Sequence, residues 1–444
     1  MSEIFIRHKH QKIFFELPPS WKLLSFADFK GTRPKENVKE MTRNALQNPI
    51  NFAPLKERIS PSDSIAVIIE DITRVSPKKL ILEALLEELD EVPIPINNIT
   101  VIIASGTHRA LSEKELEGTF GKKVNERYKV INHDCRASDL VPIGRLKTGQ
   151  VVKVNRKVHE ASFRVGIGSI FPHALNGFGG GGKILFPGVA DFESIREHHL
   201  KCWSHPKLEL GNIDGNLFHE EVSSIARSGN LDFIINSVLD HQDNLYDIVA
   251  GHIIEAHRTG IEQCRRVISK EFEKKADLTL ITSFPYIEGA QFLKPLSPAS
   301  MVTKKGGCII LYDGSRGNIP DHFVSGFDKF SKNYSSNLLQ GIQKHFQKGQ
   351  MIFDDCSIEL NMAAAAGLKA QHWFNVILVS ENIDKNTTEK MGFIFAEDLN
   401  RAFELSSHII PPNPEVHVIP SGSIILPIVK NPRLAYGPEE GLVS

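Results

Sequence analysis

The sequence predicts an α/β protein of two domains, each built on a mainly parallel sheet flanked by helices, with the active site in the cleft between them. Three observations carry that expectation. Short β-branched runs recur along the chain: SIAVIIEDITR from Ser64, NITVIIASGTHR from Asn98, ADLTLITSFPY from Ala276, GGCIILYDGS from Gly306 and WFNVILVS from Trp373. Such unbroken runs read as strands covered on both faces, as parallel strands are. Each ends abruptly in a polar or glycine-containing cluster and is followed by a plausible helix, giving strand, loop and helix in succession. The chain is also 444 residues long, beyond the size at which one hydrophobic core stops growing.

Taken in order, the N-terminal MSEIFIRHKHQKIFFELPPSW mixes charges with short apolar pairs and lacks the apolar stretch and cleavage site of a secretory signal. The first two buried strands follow from Ser64 and Asn98. Between Val151 and Ile170, VVKVNRKVHEASFRVGIGSI alternates as half-exposed strands do, so the first domain is expected to carry an embellishment. After the glycine run at Gly177 to Gly182, GVADFESIREHHLKCW reads as a helix with Asp191 as N-cap and Glu193 at its positive end. On that helix Phe192, Ile195 and His199 share the apolar face, which points His199 inward and leaves His198 with Asp191 and Ser194 on the polar side. A charged stretch, KEFEKKADLTLIT, precedes a fresh buried strand and places the domain boundary near residue 272. Residues 1–272 are then the cofactor-binding and catalytic domain and 273–422 an α/β domain contributing substrate-binding residues. The tail 423–444, which contains SIILPIV, is expected to pack back on the first domain.

Composition excludes several classes. With 41% hydrophobic and 24% charged residues and a formal net charge of -1, the chain has no electrostatic footprint of a nucleic-acid binder. No apolar run approaches the roughly 20 residues that a membrane-crossing helix needs. Five scattered cysteines, an odd number, argue against a disulfide framework and fit a reducing, cytoplasmic setting.

Ligands of open α/β sheets sit beyond the carboxyl ends of the strands, so the strand ends are read first. One yields Asp71, Thr73 and Arg74, and the next yields Thr107, His108 and Arg109. Singly, Asp71 and Thr73 read as caps of the helix starting near Pro77 and His108 as a turn residue; together, at equivalent positions, they read as a site. Gly177, Gly182 and Lys183 satisfy GxxxxGK, but Ile184 stands where a triphosphatase needs a hydroxyl for magnesium, and Pro172 and His173 stand where a strand should run. A loop of this kind still offers backbone amides to a single phosphate. His199, Cys202 and His205 keep a zinc site open as a rival.

These residues resemble the nickel-dependent lactate racemases and their homologues. The likeness is carried by DITR at Asp71 to Arg74, SGTHR at Ser105 to Arg109, HALNGFGGGGKILFPG at His173 to Gly188, EHH at Glu197 to His199 and QFLK at Gln291 to Lys294, in matching order and spacing. It implies a racemase or epimerase that inverts carbon 2 of a 2-hydroxy acid by hydride transfer to and from a nickel-pincer nucleotide. That cofactor is a pyridinium-3-thioamide-5-thiocarboxylic acid mononucleotide holding nickel. By motif position, Lys183 would tether the nucleotide and Gly179, Gly180, Gly181 and Gly182 would wrap its phosphate. His199 would ligate nickel, His108 and His173 would be the acid/base pair, and Asp71 and Thr73 would help order the cofactor site. Arg74, Gln291 and Lys294 would contact the substrate, and Ala290 beside Gln291 leaves room that suits an aldonic acid better than lactate. The enzymes that build the cofactor would be partners, with no nucleic acid or membrane involved, and a homo-oligomer is allowed. Two other functions compete: a zinc-dependent hydrolase and a non-catalytic nucleotide-binding protein.

Overall fold

A computed structural model of the chain describes residues 3–9, 11–29, 37–73, 76–241, 244–285, 289–315, 319–422 and 424–430. It divides into two compact units, Gly31–Val267 and the combination of Met1–Lys30 with Ile268–Ser444. The sequence-based division therefore needs correction at both ends. Residues expected to open the first domain belong with the second unit, because the strand Lys22–Phe26 adds in parallel to Glu415–Ile419 and Ile6 enters the core of that sheet. The described part of the tail also belongs there: Leu426–Val429 pairs in parallel with Ser269–Phe272.

The sheet of the Gly31–Val267 unit has six strands in the order Leu245–Gly251, Phe233–Leu239, Phe163–Ile170, Ile65–Glu70, Ile99–Ala104, Lys129–Asn132. All pairs are parallel except the one made by the edge strand Leu245–Gly251. The reason for the unbroken apolar runs is visible. Val67, Ile69, Val101 and Ile103 face one way and join Leu82, Leu85 and Leu89 of the helix Lys78–Asp90 in one core. Ile68 and Ile102 face the other way and are equally buried, at 0% exposure. Truncating one such residue to alanine costs about 2–5 kcal/mol.

The stretch from Val151 to Ile170 divides in two. Val151–Val154 forms an antiparallel hairpin with Val141–Arg145, the expected embellishment. Phe163–Ile170, in contrast, is a central strand with all eight residues buried. Its polar and small residues have local causes: the Arg164 guanidinium donates to the carbonyls of Val158 and His159, and Gly166 makes room for Ile184.

The other unit holds a second six-stranded sheet, in the order Ile394–Ala396, Asn375–Ser380, Thr303–Asp313, Ala276–Thr282, Glu415–Ile419, Lys22–Phe26, parallel throughout. No helix among the described residues is long and apolar enough to cross a membrane.

Candidate active site

In the Gly31–Val267 unit the strand order reverses between the neighbours Ile65–Glu70 and Phe163–Ile170, with Ile99–Ala104 added on one side and Phe233–Leu239 on the other. Loops leaving such a reversal diverge and open a crevice at the carboxyl ends. Those ends carry Asp71 and Thr73, Thr107 and His108, and Phe171 to His173. His108 and His173 follow strands on opposite sides of Ile65–Glu70, so their strand ends lie roughly 10 Å apart at the usual inter-strand spacing.

Asp71 is 4% exposed and shares its oxygens between two neighbours. Oδ1 accepts from the Thr73 amide at 3.0 Å and the Thr73 hydroxyl at 2.6 Å, while Oδ2 lies 2.5 Å from His108 Nδ1. An ionised carboxylate can only accept, so His108 donates from Nδ1, and the neutral form of the ring has its lone pair on Nε2. Capping does not explain these residues: the helix Lys78–Asp90 starts from Pro77 with no side-chain cap. Beneath the pair lies a buried polar layer that sequence reasoning missed. The Lys78 ammonium donates to the Asp71 carbonyl and lies 4.0 Å from Glu70 Oε1, and Glu70 Oε2 accepts the Ser169 hydroxyl at 2.9 Å. A lysine opening an amphipathic helix immediately after a strand-end motif was its only signal in the sequence. Arg74 lies outside the described residues.

His173 is held the other way round. Its Nδ1 accepts the backbone amides of Leu175 at 3.2 Å and Asn176 at 3.1 Å. The neutral ring therefore keeps its hydrogen on Nε2. A short antiparallel ladder, Pro172 with Phe178 and His173 with Gly177, ties this histidine to the glycine loop.

The loop glycines answer to packing as well as to any ligand. A Cβ on Gly179 would come within 2.6 Å of Phe171, on Gly180 within 2.8 Å of Asn236 Oδ1, and on Gly182 within 2.7 Å of Ala226, while on Gly181 it would strike the His257 ring. Two loop amides already have protein acceptors, Gly179 on the Phe171 carbonyl and Gly181 on Asn236 Oδ1 at 2.8 Å. His257 Nε2 donates to the Gly179 carbonyl at 2.8 Å and braces the loop from behind. Asn236, a lone amide inside the buried strand Phe233–Leu239, is a second missed residue; a polar letter in such a run signals a buried partner.

Lys183 follows this loop, and its charge reaches three imidazoles, His198 and His257 buried and His219 half-buried. Burial, followed by the neighbouring His199 and Lys183, holds His198 well below the usual histidine range. Burial first, then Arg258, lowers His219 to about 4; burial, then His219 and Lys183, lowers His257 to about 4.

The helix Phe192–Cys202 forms with Asp191 as its N-cap, as expected, but the histidines are exchanged. His198 is 1% exposed and His199 only half-buried. The cause lies at Asp191 and Ser194, which bond to each other and, through Asp191, to the Lys153 amide, so the polar side of the helix is the docked side. His199 is nonetheless ordered: its Nδ1 donates to the Ile195 carbonyl at 2.8 Å, which leaves the lone pair on Nε2. Phe218 lies beside His199, His198 and His173, with ring centroids 4.9, 4.0 and 6.4 Å away, so these imidazoles surround one aromatic ring. The rival zinc set of His199, Cys202 and His205 does not assemble. Cys202 groups instead with His198 and Glu221, a cluster among the described residues that could hold a metal ion.

Gln291 and Lys294 belong to the other unit, in and just after the turn Gly289–Leu293. That turn follows Ala276–Thr282, the strand at which the second sheet reverses its order. Lys294 is exposed and Gln291 half-buried, and Ala290 keeps 8% of its surface.

Comparison with known proteins gives a consistent result. The lactate racemase N-terminal domain family matches residues 8–211. The lactate racemase of Thermoanaerobacterium thermosaccharolyticum is 27% identical over 439 residues, spanning 96% of this chain and 99% of that protein. That of Lactiplantibacillus plantarum is 30% identical over 287 residues, 64% of this chain and 67% of that protein. The structure of the T. thermosaccharolyticum lactate racemase apoprotein superposes with a TM-score of 0.86 at 25% identity, covering 96% of this chain and all of that one. A Thermotoga maritima protein shares the fold at TM-score 0.63 and 19% identity, over 88% of this chain and 98% of its own.

Proposed function

The chain belongs to the lactate racemase family, and from that premise we propose that it inverts carbon 2 of a 2-hydroxy acid through the histidines of the crevice described above. It is an isomerase of the racemase or epimerase kind, with a small-molecule 2-hydroxy acid as substrate and the nickel-pincer nucleotide as cofactor. The residues suit that group. Lys183 stands at the end of the glycine loop near His198, and the ring of the next residue, His199, is oriented by its Nδ1 bond to the Ile195 carbonyl. In this reading Lys183 carries the nucleotide, Gly179 to Gly182 lie along its phosphate, Asp71 and Thr73 order the site, and His199 ligates nickel. When bound, the cofactor supplies a reversible hydride acceptor, which spares the enzyme a carbanion next to a carboxylate.

The chain's own part is proton transfer and orientation. His108 Nε2 takes the hydroxyl proton, and Asp71 stabilises the imidazolium that results. His173 holds a hydrogen on Nε2 and serves the opposite face. Inversion needs proton transfer on both faces, so two imidazoles from separate segments are required. Arg74, Gln291 and Lys294 hold the substrate carboxylate by charge and hydrogen bonds. The small Ala290 favours an extended substrate such as an aldonic acid. Five cysteines without a disulfide support a cytoplasmic setting, and the enzymes that build the cofactor are its partners.

One observation carries this reading: the two imidazoles flanking Ile65–Glu70 are oriented in opposite senses through Nδ1, which donates to Asp71 in His108 and accepts the Leu175 and Asn176 amides in His173. The test is to incubate the cofactor-loaded enzyme with single stereoisomers of lactate, malate, phenyllactate and gluconate and follow carbon 2. Inversion of gluconate ahead of lactate is expected; inversion of none refutes the assignment.

A further inference from the structure

We propose that His198, Cys202 and Glu221 form a zinc site of their own, separate from the nickel ligand beside it. His198 and Cys202 stand one turn apart on the helix Phe192–Cys202, and Glu221 faces them from the helix Leu217–Ser228. Cys202 Sγ lies 3.5 Å and His198 Nε2 3.6 Å from the same oxygen, Glu221 Oε2, and the three ligand atoms fall within 4.8 Å of one another. Tetrahedral zinc, bonded at about 2.0–2.3 Å, sets neighbouring N, O and S ligands roughly 3.3–3.8 Å apart. Two edges of that tetrahedron are thus already in place.

The chemistry of burial points the same way. His198 and Cys202 are 1% exposed and Glu221 is 5% exposed. Neither ring nitrogen of His198 has a hydrogen-bond partner; the Phe218 backbone is near enough to favour its proton without forming a well-aligned bond. A buried imidazole without partners is a cost that a metal removes. A dication, a thiolate, a carboxylate and a neutral imidazole sum to zero charge, so the filled site suits an apolar interior. The thiol proton leaves to solvent on binding. Glu221 Oε1 accepts the Lys147 amide at 2.6 Å, which turns Oε2 toward the other two ligands in the manner of an outer-shell support. The Phe186 and Phe218 rings pack beside the site, 4.9 and 4.0 Å from that of His198, and a zinc ion held by the three side chains would take one water molecule as its fourth ligand. Filled, the site clamps the helix bearing His199 to its neighbour. His199 remains outside it, its ring 5.6 Å away and its Nδ1 engaged on the Ile195 carbonyl.

The test uses the full chain expressed without the cofactor-building enzymes, stripped with a chelator and dialysed against zinc chloride or cobalt chloride. Wild type should retain about one zinc per chain and give a cobalt–thiolate charge-transfer band in the near ultraviolet. Cys202→Ser should lose the band and most of the zinc while circular dichroism shows an intact fold, and Glu221→Gln should weaken retention. Folded wild type that holds no zinc, a cobalt complex without the thiolate band, or retention unchanged in Cys202→Ser overturns the site. Because the nickel cofactor is absent throughout, these outcomes are independent of the racemase reading.

Discussion

The two units share an architecture, a six-stranded, largely parallel sheet whose order reverses once, but their strand ends are furnished differently. In Gly31–Val267 the carboxyl of Asp71 meets an imidazole, and a buried lysine and glutamate lie beneath it. In the other unit the comparable carboxyl, Asp313 at the end of Thr303–Asp313, accepts from three neutral donors among the described residues. Its Oδ1 accepts the Ser315 amide at 2.9 Å, and its Oδ2 accepts the hydroxyls of Ser315 at 2.7 Å and Ser380 at 2.9 Å. A carboxylate paired with an imidazole sets where a proton sits; one bound by hydroxyls and an amide fixes loops. The same sheet hosts either, so function is argued from the site and not from the fold.

The largest effects should fall on the imidazole pair. His108→Ala removes a proton acceptor and should slow inversion about 10²–10⁴-fold, with nickel content unchanged in the folded protein, as metal analysis and circular dichroism would show. Asp71→Asn should slow it by about 10²-fold or more, because an amide can turn its NH2 toward Nδ1 and drive the His108 proton to Nε2. An Asp71→Asn enzyme at near wild-type rate would remove the distinction drawn between the two carboxylates.

A second contrast concerns buried histidines. His257 in one unit and His417 in the other are both lowered, chiefly by burial, His257 to about 4. Between pH 6.5 and 4 the unfolded chain binds the His257 proton and the folded protein does not. Stability is therefore full above about 6.5 and falls with pH, by roughly 3 kcal/mol at pH 4. His257→Gln should flatten that part of the acid limb in denaturant titrations. An identical limb in the variant would mean that His257 is protonated within the fold.

What could be read in advance follows from how burial writes itself. Ile65–Glu70, Ile99–Ala104, Ala276–Thr282 and Asn375–Ser380 are covered on both faces and appear as unbroken apolar runs. Phe163–Ile170 hides behind Arg164 and two glycines, each with a local partner that no period reveals. The placement of Lys22–Phe26 depends on pairing with Glu415–Ile419 at the far end of the chain, which no local pattern encodes. The helical wheel put His199 inward because it weighs polarity, whereas Asp191 and Ser194 find their partners inside. Asp71 and His108 were legible as equivalent strand ends, but their contact comes from the adjacency of their strands.

The smallest effect should come from Asp313→Asn. The amide keeps one acceptor oxygen, so at least one of the three donors now held by the carboxylate must lose its partner or share it. Asp313 is 1% exposed, and a stranded buried donor costs about 1–3 kcal/mol, readable as a shift of the urea midpoint. The inversion rate of the folded fraction should be unaltered, because the bonds described for Asp313 run to the Ser315 amide and two hydroxyls and none to an imidazole. A rate loss as deep as that of Asp71→Asn, at equal stability, would mean that the second sheet's strand ends also take part in proton transfer, and the contrast between the units would then be one of position and not of role.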